Sequence, residues 1–82
     1  MDNKQVLERI EMNPKVMLGK PVIKDTRIPV ELIVRMVAQG IPEADILAEY
    51  PRLELADIRA ALSYAAMVVA QEDVFPLLPL AA

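Results

Sequence analysis

The chain of 82 residues contains no cysteine, no histidine and no tryptophan. The absence of cysteine excludes disulfides, and the absence of both cysteine and histidine excludes the usual structural zinc sites. The commonest nucleophilic and acid–base catalytic groups are missing for the same reason. With two glycines in the whole chain, there is also no glycine-rich phosphate loop. We therefore expect no catalytic activity, no metal, no cofactor and no small-molecule substrate.

Long hydrophobic runs are also missing. No apolar run approaches the roughly 18 residues of a membrane-spanning helix. No basic segment followed by an apolar one marks a signal peptide. We expect a cytoplasmic protein without a membrane partner.

Apolar residues are nevertheless abundant. They make up 55% of the chain, against roughly 45–50% in a typical soluble domain. A single domain of this length has little interior in which to bury the excess. Small domains without disulfides or metals often gain stability by association. The composition therefore predicts a single domain over residues 1–82 that forms a homodimer.

The charges are distributed unevenly along the chain. Residues 1–35 contain seven Lys or Arg against five Asp or Glu, a net charge of +2. Residues 36–82 contain two against seven, a net charge of -5. A protein that binds nucleic acid usually has a clear basic face. Such a face would have to come mainly from the N-terminal half.

Residues 9–28 predict a short β-ribbon. Polar and apolar residues alternate over 9–12, Asn13-Pro14 is a turn signal, and the β-branched residues of 22–28 favour a second strand. The residues before this ribbon are expected to be frayed or briefly helical.

Residues 29–72 predict three helices. Pro29 suits the first turn of a helix that ends at Gly40. Pro42 begins a short second helix, which Pro51 ends. A longer third helix follows over about 55–71. A short helix, a tight turn and a long helix are typical of a helix-turn-helix unit. The fold class is therefore mainly α, with a short N-terminal β-ribbon followed by a three-helix bundle, and with an apolar C-terminal tail over 73–82.

Basic residues on the ribbon and in the helix-turn-helix unit are candidates for nucleic-acid binding, since phosphate contacts supply much of the affinity for DNA. These candidates are Lys20, Lys24, Arg27, Arg52 and Arg59. In an equally weighted alternative, Arg27 and Arg59 pair with acidic neighbours and hold ribbon, helices or dimer together.

The first bundle helix has one thin polar stripe and is otherwise apolar. It is the best candidate for a dimer seam, through Leu32, Ile33, Met36 and Val37. The alternative, equally weighted, is that this helix is the central core helix of the monomer.

The apolar tail suggests a second contact surface. Its large apolar side chains are Val74, Phe75, Leu77, Leu78 and Leu80. We prefer a segment that orders as it binds a partner, because such a tail would be a liability in water. The alternative is a tail that folds back onto its own bundle.

Several segments together resemble a known family of small prokaryotic proteins, the domain-of-unknown-function 433 family, whose members resemble VapB-type antitoxins. The resemblance extends over about 9–66. The matching residues are Asn13-Pro14, Gly19-Lys20-Pro21, Thr26-Arg27-Ile28-Pro29-Val30, Gly40, Tyr50-Pro51, Leu53 and Asp57-Ile58-Arg59-Ala60-Ala61-Leu62.

The resemblance implies a dimeric, homeodomain-like helix-turn-helix domain that acts as the antitoxin of a type II toxin–antitoxin system. Such a protein binds a PIN-like nuclease toxin and in some cases operator DNA. Three positions depart from the family pattern: Asp25 replaces a Gly, Ile41 a Ser cap and Glu54 a Thr cap. The alternative function is a dimeric, non-catalytic regulatory or scaffold module with no nucleic-acid role.

Overall fold

Four helices and a two-stranded ribbon are present in the computed structural model, which describes residues 1–71. The elements in chain order are helix α1 (Asn3–Glu8), strand β1 (Ile10–Glu11), a 3₁₀ turn (Met17–Gly19), strand β2 (Val22–Ile23) and helices α2 (Val30–Ala38), α3 (Glu43–Glu49) and α4 (Leu55–Gln71). The predicted fold class, mainly α with an N-terminal β-ribbon ahead of three helices, is confirmed.

The residues before the ribbon, which the sequence predicts to be frayed or briefly helical, form helix α1. It begins with a capping box: the Asp2 side chain accepts a hydrogen bond from the Gln5 backbone N–H at 2.8 Å, and the Gln5 side chain accepts one from the Asp2 backbone N–H at 2.9 Å. This reciprocal pair satisfies two N–H groups at the helix start. Val6, on the inner side of α1, is buried, so the helix is part of the packed structure.

The ribbon is shorter than predicted. Strands β1 and β2 are antiparallel, with Ile10 opposite Ile23. The predicted second strand, 22–28, is wrong beyond Ile23, because a turn begins there. Asp25 has a φ of 62°, in the left-handed region that Asp tolerates better than most residues. The Thr26 hydroxyl donates to the Ile23 carbonyl at 2.7 Å and accepts from the Ile28 N–H at 3.0 Å.

Helix α2 ends in a Schellman motif at Gly40, as the sequence predicts. Gly40 has a φ of 82°. Its N–H donates to the Val37 carbonyl, and the Ile41 N–H donates to the Met36 carbonyl, both at 3.0 Å. These two bonds satisfy carbonyls that the helix end would otherwise leave open. Ile41 therefore lies in the turn after α2, and the N-cap residue of α3 is Pro42.

The core is formed by side chains from every helix and from the ribbon. The largest fully buried ones are Ile33, Ile46, Ile58, Val6 and Val22. Packing of α2 against α4 dominates the contacts between elements. None of the helices within residues 1–71 is long and apolar enough to cross a membrane.

Half of the predicted dimer seam lies inside this core. Ile33 is 0% exposed and Met36 is 9% exposed, whereas Leu32 and Val37 are half-buried. A side chain without exposed surface cannot contact a second copy, so the assignment of Ile33 to a dimer seam is wrong, and Met36 has little surface to offer to one. Helix α2 is instead a central helix of the monomer core, the alternative that its apolar composition also allowed.

Candidate functional site

Three of the five predicted nucleic-acid residues lie around one turn. Lys24 and Arg27 are exposed on the turn that follows β2. Arg52, in the connection between α3 and α4, donates from Nη2 to the Asp25 backbone carbonyl at 2.8 Å. This hydrogen bond brings the helix-turn-helix connection next to the ribbon turn. We refer to Lys24, Arg27 and Arg52 as the basic turn cluster.

A polar cleft of about 390 Å³ lies beside the basic turn cluster, between the ribbon and the start of α4. Its charged lining residues are the basic Arg9, Lys24 and Arg52 and the acidic Glu8, Asp25, Glu54 and Asp57. The acidic side chains offset the positive charge that an anionic ligand would meet inside the cleft. The cleft is therefore mixed in charge, and the outward-facing side chains of the turn provide the more basic surface.

The cleft contains an ion pair between residues far apart in sequence. Arg9 Nη1 lies 2.9 Å from Asp57 Oδ1, and the other carboxylate oxygen accepts a hydrogen bond from the Glu54 N–H at 2.9 Å. Asp57 is one of the buried residues of α4. Its carboxylate therefore satisfies the Glu54 N–H at the start of α4 and also binds Arg9.

Lys20 and Arg59 lie apart from the basic turn cluster. The Lys20 ammonium contacts Glu31 at 2.9 Å, and Arg35 lies 3.6 Å from the other oxygen of the same carboxylate. The hydrogen bond and positive charge of Lys20, together with the charge of Arg35, lower the pKa of Glu31, although partial desolvation opposes them. Lys20 is thus engaged with its own chain. Arg59 is exposed on α4.

Within residues 1–71, no ion pair involves Lys24, Arg27 or Arg59. The described residues therefore contain no ion pair that supports the predicted alternative, in which Arg27 and Arg59 pair with acidic neighbours.

The second half of α4 forms an exposed surface without charge. No charged residue occurs in residues 60–70 of the sequence, and none of residues 62–71 is classed as buried. Exposed residues at helical spacing share one side of α4 along its whole length. This outer α4 face consists of Leu55, Arg59, Leu62, Ala66 and Ala70, all exposed. An exposed helix surface that is almost uncharged is typical of a contact surface.

A groove lies beside this face, between the start of α2 and the end of α4. It has a volume of about 530 Å³ and is lined mainly by Val30, Val34, Tyr64, Ala65, Val68 and Val69. Glu31 and Arg35 also line it. We refer to it as the α2–α4 groove. The sequence did not reveal it, because its two walls come from segments about thirty residues apart.

The predicted partner-binding residues Val74, Phe75, Leu77, Leu78 and Leu80 lie outside the described residues. Their assignment stays a prediction.

Two features were not predicted from the sequence: the Arg9–Asp57 ion pair and the outer α4 face. The lack of charge over residues 60–70 was a readable signal for the second of these, whereas no sequence spacing could indicate the first.

Comparison with known proteins places the chain in a family. A family model described as a protein of unknown function (DUF433) matches residues 10–65. An uncharacterized protein of Archaeoglobus fulgidus is 60% identical over 30 residues, which cover 37% of this chain and 83% of that protein. The crystal structure of a DUF433 member protein from Anabaena variabilis is similar, with a TM-score of 0.71, 31% sequence identity and coverage of 87% of this chain and 80% of that one. Because the family model matches more than half of the residues, the chain belongs to the DUF433 family of proteins of unknown function.

Proposed function

We propose that the protein is a non-catalytic, homodimeric binding module of the antitoxin type, which binds and neutralises a PIN-like nuclease in the cytoplasm. The observation that carries this proposal is the outer α4 face. Leu55 and Leu62 are more than a third exposed there, and Arg59 is the only charged residue in the row. An apolar helix face of this kind fits the helix-in-groove mode of protein recognition.

The outer α4 face is large enough to form only part of a stable interface. Residues 55–70 of a helix extend over about 24 Å at 1.5 Å per residue. A stable interface buries about 800 Å² on each partner, which is more than a single helix face supplies. The proposed nuclease would therefore also contact neighbouring elements, and α4 would provide the apolar centre of the interface.

The proposal predicts that one charge on the outer α4 face severely weakens binding. In Ala66→Glu, a carboxylate would be buried without a partner in the interface, a change that costs about 2 kcal/mol or more and weakens binding at least about thirtyfold. The measurement is a pull-down of the neighbouring gene product after co-expression, together with relief of its toxicity. Ala48→Glu is the matched control, because Ala48 is also an exposed helical alanine but lies on α3.

Two results would contradict this proposal. If the unmodified protein neither captures the neighbouring gene product nor relieves its toxicity, the antitoxin assignment fails, and a dimeric regulatory or scaffold role without a nuclease takes its place. If Ala66→Glu binds as well as Ala48→Glu, the partner uses a surface other than the outer α4 face.

Operator DNA is a second candidate ligand. The observation that favours it is the hydrogen bond from Arg52 to the Asp25 carbonyl, which gathers three cations of the basic turn cluster on one side. Such a cluster suits phosphate contacts. The acidic residues of α3, Glu43, Asp45 and Glu49, weigh against deep insertion of the helix-turn-helix unit into a DNA groove.

Titration with DNA from the upstream region at several salt concentrations tests this candidate. The double variant Lys24→Ala/Arg27→Ala is expected to reduce the salt slope of the binding constant by about 2, one unit for each phosphate that the protein no longer neutralises. Lys4→Ala, which removes a lysine on α1 away from the cleft, should leave the slope unchanged. Binding that is independent of salt, or an equal slope in the double variant, would exclude the basic turn cluster as the DNA-binding surface.

A further inference from the structure

The α2–α4 groove exposes apolar surface that nothing within residues 1–71 covers. Val30 is buried at the base of the groove, whereas Val34 and Tyr64 are half-buried, and Val69, at its end, is 73% exposed. Apolar area left in water is unfavourable in proportion to its extent. An occupant with apolar side chains would remove this area from water.

The last turn of α4 forms one end of the groove. Val68 and Val69 line it, and the described part of α4 extends to Gln71, two residues after Val69. Any segment that starts at residue 72 is tethered beside the groove, which gives it an effective concentration in the millimolar range. A free partner or a second copy would have to reach a comparable concentration in order to compete.

The composition of the following segment matches the groove. Residues 74–78 contain Val74, Phe75, Leu77 and Leu78 around Pro76. Proline steers the residue before it into an extended conformation, and an extended chain is narrow enough to lie between two helices. The segment after Gln71 carries only two charged residues, Glu72 and Asp73, while Arg35, whose side chain is 73% exposed, lies at the groove.

The span of residues 74–78 also agrees with the length of the groove. The α4 wall of the groove, from Val69 back to Tyr64, is about 8 Å long at 1.5 Å per residue. Five extended residues span at most about 17 Å. A reversal of the chain within residues 72–73 would leave residues 74–78 long enough to pass back along this wall.

We propose that residues 74–78 of the same chain occupy the α2–α4 groove, with Val74, Phe75, Leu77 and Leu78 as the contacting side chains. The inference does not depend on the proposed antitoxin role, because it rests on the groove and on the tether. The sequence analysis preferred a tail that binds a partner, whereas here the tail binds its own chain. The outer α4 face then remains free for a partner.

Disulfide trapping in the full-length chain tests the proposal, since the protein has no cysteine of its own. Val34→Cys/Leu77→Cys places one thiol on the α2 wall and one on the tail. Leu62→Cys/Leu77→Cys is the matched control, with a thiol on the outer α4 face. Under mild oxidation, the first pair is expected to close within one chain roughly tenfold faster than the control. Both pairs share the same tether, so the difference reports only whether binding in the groove holds Leu77 near Val34.

Mass spectrometry under non-reducing conditions separates the outcomes. An excess of the intramolecular product for Val34→Cys/Leu77→Cys supports the proposal. A disulfide-linked dimer would overturn it in favour of a second copy, and equal rates for the two pairs would overturn it by placing the tail elsewhere.

A second measurement avoids the risk that a cysteine at Val34 disturbs folding. Phe75→Leu keeps the tail apolar and removes its only aromatic ring. In methyl NMR spectra of the full-length chain, the resonances of Val30 and Val34 are expected to shift on this change, while those of Leu55 stay in place. Unchanged resonances at Val30 and Val34 would overturn the proposal.

Discussion

Replacing Ile33 with alanine is expected to lower the free energy of unfolding by about 3–4 kcal/mol. Ile33 is fully buried in the middle of α2, in the same cluster as Ile46 and Ile58. The change removes buried methyl groups and leaves a cavity that a small core cannot refill. A domain of this size has a total stability of roughly 4–12 kcal/mol, so the loss is a large fraction of it. Urea unfolding followed by circular dichroism measures it.

The control for Ile33→Ala is Leu7→Ala on α1. Leu7 is 53% exposed, and a surface truncation of this kind is expected to change stability by no more than about 0.5 kcal/mol. The destabilisation by Ile33→Ala should also be independent of protein concentration, because Ile33 packs within one chain. A loss of stability that becomes smaller as the protein concentration rises would instead place Ile33 in a dimer interface.

Replacing Asp57 with alanine is expected to cost about 2–3 kcal/mol. The buried carboxylate has two partners, Arg9 and the Glu54 N–H, and both would be left without it. Loss of one partner from a buried ion pair costs about 3–5 kcal/mol. The Arg9 side chain is 35% exposed, so water replaces part of the interaction and the expected loss is smaller. The melting temperature should fall by roughly 10–20 °C.

Arg9→Gln separates the two contributions of Asp57. It removes the ion pair but keeps the hydrogen bond between the Asp57 carboxylate and the Glu54 N–H, so it should destabilise the protein less than Asp57→Ala does. The double variant completes a cycle that isolates the pair. Equal losses for the two single variants would contradict this order and would mean that the buried carboxylate left without Arg9 costs as much as the lost bond to Glu54.

The three bundle helices could be read from the sequence because local chemistry marks their ends. Pro29 and Gly40 enclose α2, and Pro42 and Pro51 enclose α3, close to the observed bounds. The resemblance to the family has the same basis. Gly40 forms a helix end, Thr26 forms a turn and Asp57 starts α4 and binds Arg9, so these matching residues specify the fold. They do not by themselves indicate a ligand.

The features that the sequence did not predict depend on tertiary contacts. The β-branched residues of 22–28 favour a strand, but the hydrogen bonds of Thr26 and the left-handed Asp25 turn the chain after Ile23. The sequence could not show which apolar side chains of α2 lie in the core and which lie at the surface, because this depends on how α4 packs against α2. The proximity of Arg52 to Asp25 and of Arg9 to Asp57 likewise follows only from the packed structure.

The contact between Arg9 and Asp57 also affects the order in which the protein folds. Val6 and Arg9 are synthesised before the α4 residues that α1 packs against. At 5–20 residues per second, the interval between residues 9 and 57 is about 2–10 s. During this time α1 lacks its partners, and an isolated helix of six residues is unstable in water. The N-terminal segment therefore folds only after α4 has been made, together with that helix.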